Sequence, residues 1–289
     1  MSKVIVVTGT ATGMGKATVD KFAAEGWDVV ATVRKQADLH LHDGNPRVRT
    51  LLLDVDDEQA AAGFAQQALE QFGGVDALVN NAGYYHMGPL EATSMEQAHR
   101  QFQTNVFGLI AITKAFLPHF RQQRSGVIVN ISSLTAEQGY PYSAVYAASK
   151  AAVATLSEGL SMEMAQFGVV VRSIMPGQHA TRIFTKIDAA ADVPDEYQED
   201  IKSFFAATPM TGSPPQVTAK VIYQAVLDPH AGPVRYYSGP DSVAIPTAKR
   251  ILGPQLYWEE FRQAAVGRPS ALFKSLVPEP GPQPLDRDV

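Results

Sequence analysis

Cysteine is absent from the 289 residues, so no disulfide, thiolate nucleophile or Cys-ligated zinc is available. The seven histidines are scattered and no metal site is expected. The net charge is -5 and no run of Lys or Arg occurs. That argues against a nucleic-acid partner, because phosphate binding needs a concentrated basic surface. No apolar stretch approaches the ~20 residues that span a bilayer. Met1 leads straight into an apolar run without a charged leader or cleavage site, so a cytoplasmic protein with no membrane partner is expected. The 45% of hydrophobic residues is ordinary for a globular chain and can fill one large core.

What is present is a rhythm. Short β-branched runs recur at KVIVVTG (3–9), DVVATV (28–33), VRTLLLD (48–54), VDALVNN (75–81), GVIVNIS (126–132) and VVVRSIM (169–175). They are continuously apolar rather than alternating, as parallel strands covered on both faces must be. Helical patterns at about 14–25, 57–72, 94–122 and 143–167 separate them. Strand alternating with helix predicts an α/β fold: a single-domain, Rossmann-type, doubly wound parallel sheet over residues 1–277.

After Pro176-Gly177 the alternation stops, and about 178–213 is expected to be a substrate lid inserted after the sixth strand. It contains the amphipathic DEYQEDIKSFFAA (195–207). A helix at about 214–227, a strand VRYYSG (234–239) and a helical stretch 241–266 follow. The Pro-rich tail 278–289 is expected to be extended and poorly ordered.

Open α/β sheets bind ligands at the carboxyl ends of their strands. TGTATGMG (8–15), Arg34-Lys35, Asp54, NNAG (80–83), Ser132-Ser133 and Pro176-Gly177 follow the six strands in turn, so all would line one edge. Gly9, Gly13 and Gly15 allow a phosphate to approach backbone N–H groups at a helix N-terminus. Asn80, Asn81 and Gly83 fit a turn as well as a binding segment.

Three tyrosines lie close together, at 140, 142 and 146, but only Tyr146 has a lysine four residues on. On a helix that spacing stacks Tyr146 and Lys150 on one face, about 6 Å apart. A phenol with a pKa near ~10 is a poor base at neutral pH, and a nearby ammonium should lower it. Two unrelated residues on a helix surface would give the same spacing.

Together these segments resemble the short-chain dehydrogenase/reductase family. The resemblance covers about residues 3–181 through TGTATGMG, LLLDVDD, NNAG, NVFG, VNISS, YAASK and IMPGQHAT, in the family's order. ATVRK is most similar to the 17β-hydroxysteroid and retinol dehydrogenase branch and its bacterial relatives. The resemblance implies a catalytic set of Asn105, Ser133, Tyr146 and Lys150, with Ser133 preferred to Ser132 because it lies thirteen residues before the tyrosine. It implies that Asp54 lies near the adenine, that Lys150 holds the nicotinamide ribose and that Thr181 meets the nicotinamide amide. The full cofactor set is Gly9, Thr12, Gly13, Met14, Gly15, Arg34, Lys35, Asp54, Val55, Asn81, Ala82, Gly83, Tyr146, Lys150, Pro176, Gly177 and Thr181.

The implied activity is hydride transfer between a nicotinamide cofactor and a ketone, aldehyde or secondary alcohol. The alternative is a non-enzymatic dinucleotide-binding regulator on the same scaffold. A hydrolase lacks its G-x-S-x-G elbow here. In NAD-preferring members an acid ends the second strand; here Val33 stands there with Arg34 next, so NADP is expected over NAD. Candidate pocket residues are Tyr85, His86, Tyr140, Tyr142, His179 and Phe184, though loop histidines are commonly just solvated. Phe184, Phe204, Phe205 and Met210 suggest an apolar lid and a hydrophobic small-molecule carbonyl or alcohol. Family members usually assemble as homodimers or homotetramers, and the same is expected here.

Overall fold

The computed structural model describes residues 2–179, 187–207, 212–229 and 232–277. From the N-terminus the elements are β1 (Val4–Val7), α1 (Gly13–Ala24), β2 (Asp28–Val33), β3 (Val48–Leu52), α2 (Ala60–Phe72) and β4 (Ala77–Asn80). A two-residue β5 (His86–Met87) precedes α3 (Met95–Phe102), α4 (Leu109–Gln123), β6 (Gly126–Ile131), α5 (Ala144–Ala165) and β7 (Val169–Pro176). Beyond it come β8 (Asp188–Ala189), α6 (Gln198–Ala207), α7 (Pro215–Leu227), β9 (Arg235–Ser238), α8 (Pro240–Leu252), α9 (Pro254–Ala265) and α10 (Ala271–Leu276).

Seven strands form one sheet in the order β3-β2-β1-β4-β6-β7-β9, every pairing parallel. The continuous apolar runs explain it, since alternate residues serve opposite faces. Val4 and Val6 join Phe64, Phe116, Phe120 and Leu160 of α2, α4 and α5. Ile5 and Val7 join Val19, Phe22 and Ile222 of α1 and α7. The strand order reverses at β1, which pairs with β2 on one side and β4 on the other, opening a crevice at their carboxyl ends.

Three differences from the predicted elements have local causes. The single helix expected over 94–122 is broken by a wide π-type turn at Gln103–Gly108. Gly108 lies there so close to the carbonyl of Val55 that a side chain would collide with it, and such turns often sit at functional sites. The stretch 241–266 splits into α8 and α9 at Gly253, whose φ of 73° is left-handed, and Pro254 then starts the next helix. The insertion after β7 places β8 in parallel pairing with β5, through His86↔Asp188 and Met87↔Ala189. The helix α10, capped by Ser270, was not expected. The tail 278–289 lies outside the described residues.

Candidate active site

A groove of about 480 Å³ opens at the switch between β1 and β4. Gly9, Thr12, Gly13, Met14 and Gly15 form one wall, and Arg34 and Val55 lie along it. Gly9 is left-handed at φ 70°, and a Cβ there would sit 2.8 Å from Ala82 Cα. Gly15 has no room for one, because the Gly9 carbonyl and the Asn81 amide fill the space. Thr12 caps α1 without making a side-chain cap bond, so its hydroxyl and the first N–H groups of the helix face the groove together.

The opposite wall is Asn81, Ala82 and Gly83. Asn81 builds the turn while lining the groove. Its amide donates to the carbonyls of Thr8 at 2.8 Å and Gly9 at 3.0 Å, and its N–H donates to Thr8 Oγ1 at 3.0 Å. The turn after β4 is thus stapled to the glycine loop after β1. Lys35, Asp54, Pro176 and Gly177 are not part of the lining. Asp54 accepts from the N–H of Asp56 at 3.1 Å and so shapes the turn that presents Val55 and Asp56. Thr181 and Phe184 lie outside the described residues, as does Met210.

Tyr146 and Lys150 close the inner end of the groove from the first turns of α5, 8% and 5% exposed. The ammonium lies 5.8 Å from the centre of the phenol ring and donates to the carbonyl of Ile131 at 2.9 Å. Ser133 Oγ accepts from the N–H of Thr135 at 3.1 Å, and its hydroxyl lies close enough to the Tyr146 phenol to act on its charge. Asn105 sits in the wide turn. Its Oδ1 accepts from the Tyr84 N–H at 3.1 Å, and its Nδ2 donates to the Tyr84 carbonyl at 3.1 Å and to Ser149 Oγ at 3.2 Å. Ser149 in turn donates to the Tyr146 carbonyl at 2.6 Å.

The electrostatics differ from the sequence expectation. Burial pushes the Tyr146 phenol up, with the nearby Ser133 hydroxyl pulling the other way. Burial also pushes Lys150 down to about 8. The ammonium, turned toward Ile131, does not pull the phenol down within the chain alone; desolvation outweighs it.

The candidate pocket residues divide. Tyr85 packs edge-on against Tyr146, ring centres 4.5 Å apart. Tyr142 meets Phe204 of α6 at 5.6 Å, on a left-handed backbone with φ of 61°. Tyr140 instead packs on Phe261 at 5.1 Å, in the cluster under the last helices. Neither histidine is solvated, and neither lines this groove. His86, 1% exposed, accepts or donates at Thr93 Oγ1 (3.0 Å) and lies 3.4 Å from Asp188, joining β5 to β8. His179, 4% exposed, is held between the Gly177 carbonyl (2.9 Å) and Thr218 Oγ1 (2.8 Å). His179 has a partner at each ring nitrogen, whereas the buried Nδ1 of His86 makes no hydrogen bond and has only the Asp188 carboxylate nearby.

Tyr84, Arg100, Thr104 and Asp188 also line the groove and carried no motif. Arg100 and Thr104 stand one turn apart, and Arg100 pairs with Asp188 at 2.7 Å. Burial alone would raise the Asp188 carboxyl, but Arg100, Gln97 and His86 together hold it below its usual value. The i, i+4 spacing was a usable signal, but the partner aspartate lies 88 residues away. Among the described residues no three metal-ligating side chains gather, and no helix is long and apolar enough to cross a membrane.

The profile of the family described as short chain dehydrogenase matches residues 3–192. An uncharacterized oxidoreductase of Bacillus subtilis, YusZ, is 32% identical over 271 residues, covering 89% of this chain and 96% of its own. A short-chain dehydrogenase from Streptomyces avermitilis superimposes with a TM-score of 0.79 at 33% identity, over 93% of this chain and 98% of its own. ElxO, solved with NADP bound, superimposes with a TM-score of 0.72 at 28% identity, over 84% of this chain and 100% of its own.

Proposed function

Since the chain belongs to the short-chain dehydrogenase/reductase family, we propose that it is an NADP(H)-dependent oxidoreductase that interconverts a hydrophobic ketone or aldehyde and the corresponding alcohol. The observation that carries this reading is the meeting of Tyr146 and Lys150 with the glycine loop in one groove.

The groove fits a dinucleotide. The glycine loop offers backbone N–H groups and a helix N-terminus to the pyrophosphate. Arg34 would hold a 2′-phosphate, Val55 and Asp56 would take the adenine, and Asn81 to Gly83 would guide the chain of the cofactor toward Lys150, all of them lining the one groove. The bound nicotinamide supplies or accepts the hydride. ElxO's bound NADP and the absence of an acid after Val33 support the phosphorylated cofactor.

The chain's own residues handle the substrate oxygen and the proton. Ser133 donates a hydrogen bond to the carbonyl oxygen, polarising it and fixing the face that reacts. Tyr146 gives its proton to the forming alkoxide; as an acid buried away from water, it holds that proton until the substrate oxygen takes charge. Lys150, weakened to about 8, gains from any anion placed beside it. Asn105 spends its amide on Tyr84 and Ser149, which leaves one lone pair on Oδ1 to hold a relay water near Lys150.

The test is NADPH oxidation with a panel of apolar and polar ketones and aldehydes, and NADP reduction with the matching alcohols. Nucleotide binding without turnover on any of them would favour the regulator. We take the protein to act in the cytoplasm as a dimer or tetramer. The exposed Phe107 and Met162, beside and on α5, offer apolar surface for assembly, and light scattering reads the size.

A further inference from the structure

The turn that aims Ser133 is short. The N–H of Ala136 donates to the Ser133 carbonyl at 3.0 Å and that of Glu137 to Leu134 at 2.9 Å, so the turn ends on Glu137. Its start is fixed by β7 and α5, since the N–H of Ser132 donates to the Ile174 carbonyl at 2.8 Å and its hydroxyl to that of Lys150. Its end is fixed by residues about a hundred positions further along the chain. Glu137 Oε1 accepts from Arg235 Nη1 at 2.7 Å and from the Tyr237 hydroxyl at 2.9 Å, both on β9. The main-chain carbonyl of Glu137 accepts from Lys249 Nζ of α8 at 2.8 Å. Arg235 also donates through Nε to Glu158 of α5, the helix that carries Tyr146, at 2.7 Å.

The neighbouring residues are held in the same way. Leu134 is buried with Ile245, Ala248 and Tyr257, the Tyr257 hydroxyl bonds the Gln138 side chain, and Tyr140 packs on Phe261. Leu134, Glu137, Gln138 and Tyr140 therefore all rest on β9 and the last helices. Glu137 is the member where the links cross, and its side chain is 15% exposed, so its pairs are shielded.

We propose that Glu137 is a positioning residue for the reaction: by joining Arg235, Tyr237 and Lys249 it fixes the turn that aims Ser133 at Tyr146. Through it β9 and α8 set the rate without touching substrate or cofactor. This rests on the oxidoreductase reading of the site. Misplacing a reacting group by an ångström can cost about a hundredfold.

Glu137→Ala should lower kcat by about tenfold or more while leaving the KM for NADPH unchanged. Glu137→Gln, which keeps an accepting oxygen for Tyr237 and Arg235, should recover most of that loss. The deciding measurement is a double-mutant cycle with Ser133→Ala. If Glu137 acts through the serine, Glu137→Ala on a Ser133→Ala background costs nothing further. Losses that multiply, or a kcat within about twofold of wild type for Glu137→Ala, overturn the proposal. Should Glu137→Ala fail to fold, Tyr237→Phe and Lys249→Met each remove one donor and enter the same cycle with the same criteria. If the wild type turns over no carbonyl or alcohol, the oxidoreductase reading has failed instead. Amide exchange over residues 133–140 then decides: it must rise in Glu137→Ala while exchange in α1 and β1 stays put, and unchanged protection overturns the proposal.

Discussion

The hydroxyl of Ser132 donates to the main-chain carbonyl of Lys150 at 2.7 Å. Of two adjacent serines, one is thereby committed to the backbone of α5, and its neighbour is left to face the phenol. The two alanine variants should therefore fail in different ways. Ser133→Ala should lose about 10²–10³-fold in kcat, the usual cost of removing one donor to a developing oxyanion. Ser132→Ala should keep the chemistry and lose about 1 kcal/mol of stability, from one buried hydrogen bond to the α5 backbone. Matched steady-state kinetics and thermal melts separate them; equal kcat values would show the serines had been assigned the wrong way round.

Tyr146→Phe should bind NADPH normally and lose about 10²–10⁴-fold in turnover, the range for a general acid. Tyr140→Phe is the control on the C-terminal cluster, and Tyr142→Phe the control facing α6. Neither should alter kcat by more than about threefold. Fluorescence titration with NADPH beside the rate assay makes the comparison. A Tyr146→Phe variant that keeps a tenth of wild-type kcat, give or take, would remove the phenol from the proton's path.

Lys150 carries a stability prediction with a definite sign. Its folded pKa of about 8 lies below its ordinary 10.5, so the buried ammonium is a burden on the fold. That burden is complete below pH 8 and disappears as the pH climbs through 10.5, where the unfolded chain also loses the proton. The shift corresponds to about 3 kcal/mol, less about 1 for the bond to Ile131. Lys150→Met should therefore be inactive yet more stable by roughly 2 kcal/mol at pH 7, with the gain fading toward pH 10. Urea melts across that range test it; a variant less stable at pH 7 would mean the ammonium is better solvated than its 5% exposure implies.

For the cofactor, Arg34 should give NADPH a lead of roughly ten- to a hundredfold in kcat/KM over NADH, from a charge-assisted bond of about 1.5–3 kcal/mol. Val33→Asp/Arg34→Ala should turn that preference toward NADH by placing an acid where the ribose hydroxyls lie. Equal efficiencies in the wild type, or a double variant still preferring NADPH, would end the assignment.

The sheet was legible because parallel strands buried on both faces leave unbroken apolar runs, and each run ended in a residue type with work to do. Asn81, Tyr146 and Lys150 belong to short motifs whose spacing carries their geometry. Arg100, Asp188 and Glu137 do not, because their partners come from other elements and no local pattern reports such a pairing. His86 and His179 misled for a related reason. A histidine in a loop reads as solvated until the loop is known to fold inward, and Thr93 and Thr218 are what receive them. The pKa of Tyr146 was misjudged because spacing reveals a neighbouring charge but says nothing of burial.

The interior position of β1 in the sheet also orders events during synthesis. Ile5 pairs with Ala77, and the glycine loop that follows β1 is held by the amide of Asn81. Parallel pairing needs the whole intervening crossover to be made first, so neither contact can form while the ribosome is still reading the first helices. Until then the four apolar residues of β1 have β2 as their one strand partner, a condition that invites chaperones and misassociation. A nascent chain halted before Asn81 carries every glycine of the loop and no nucleotide site.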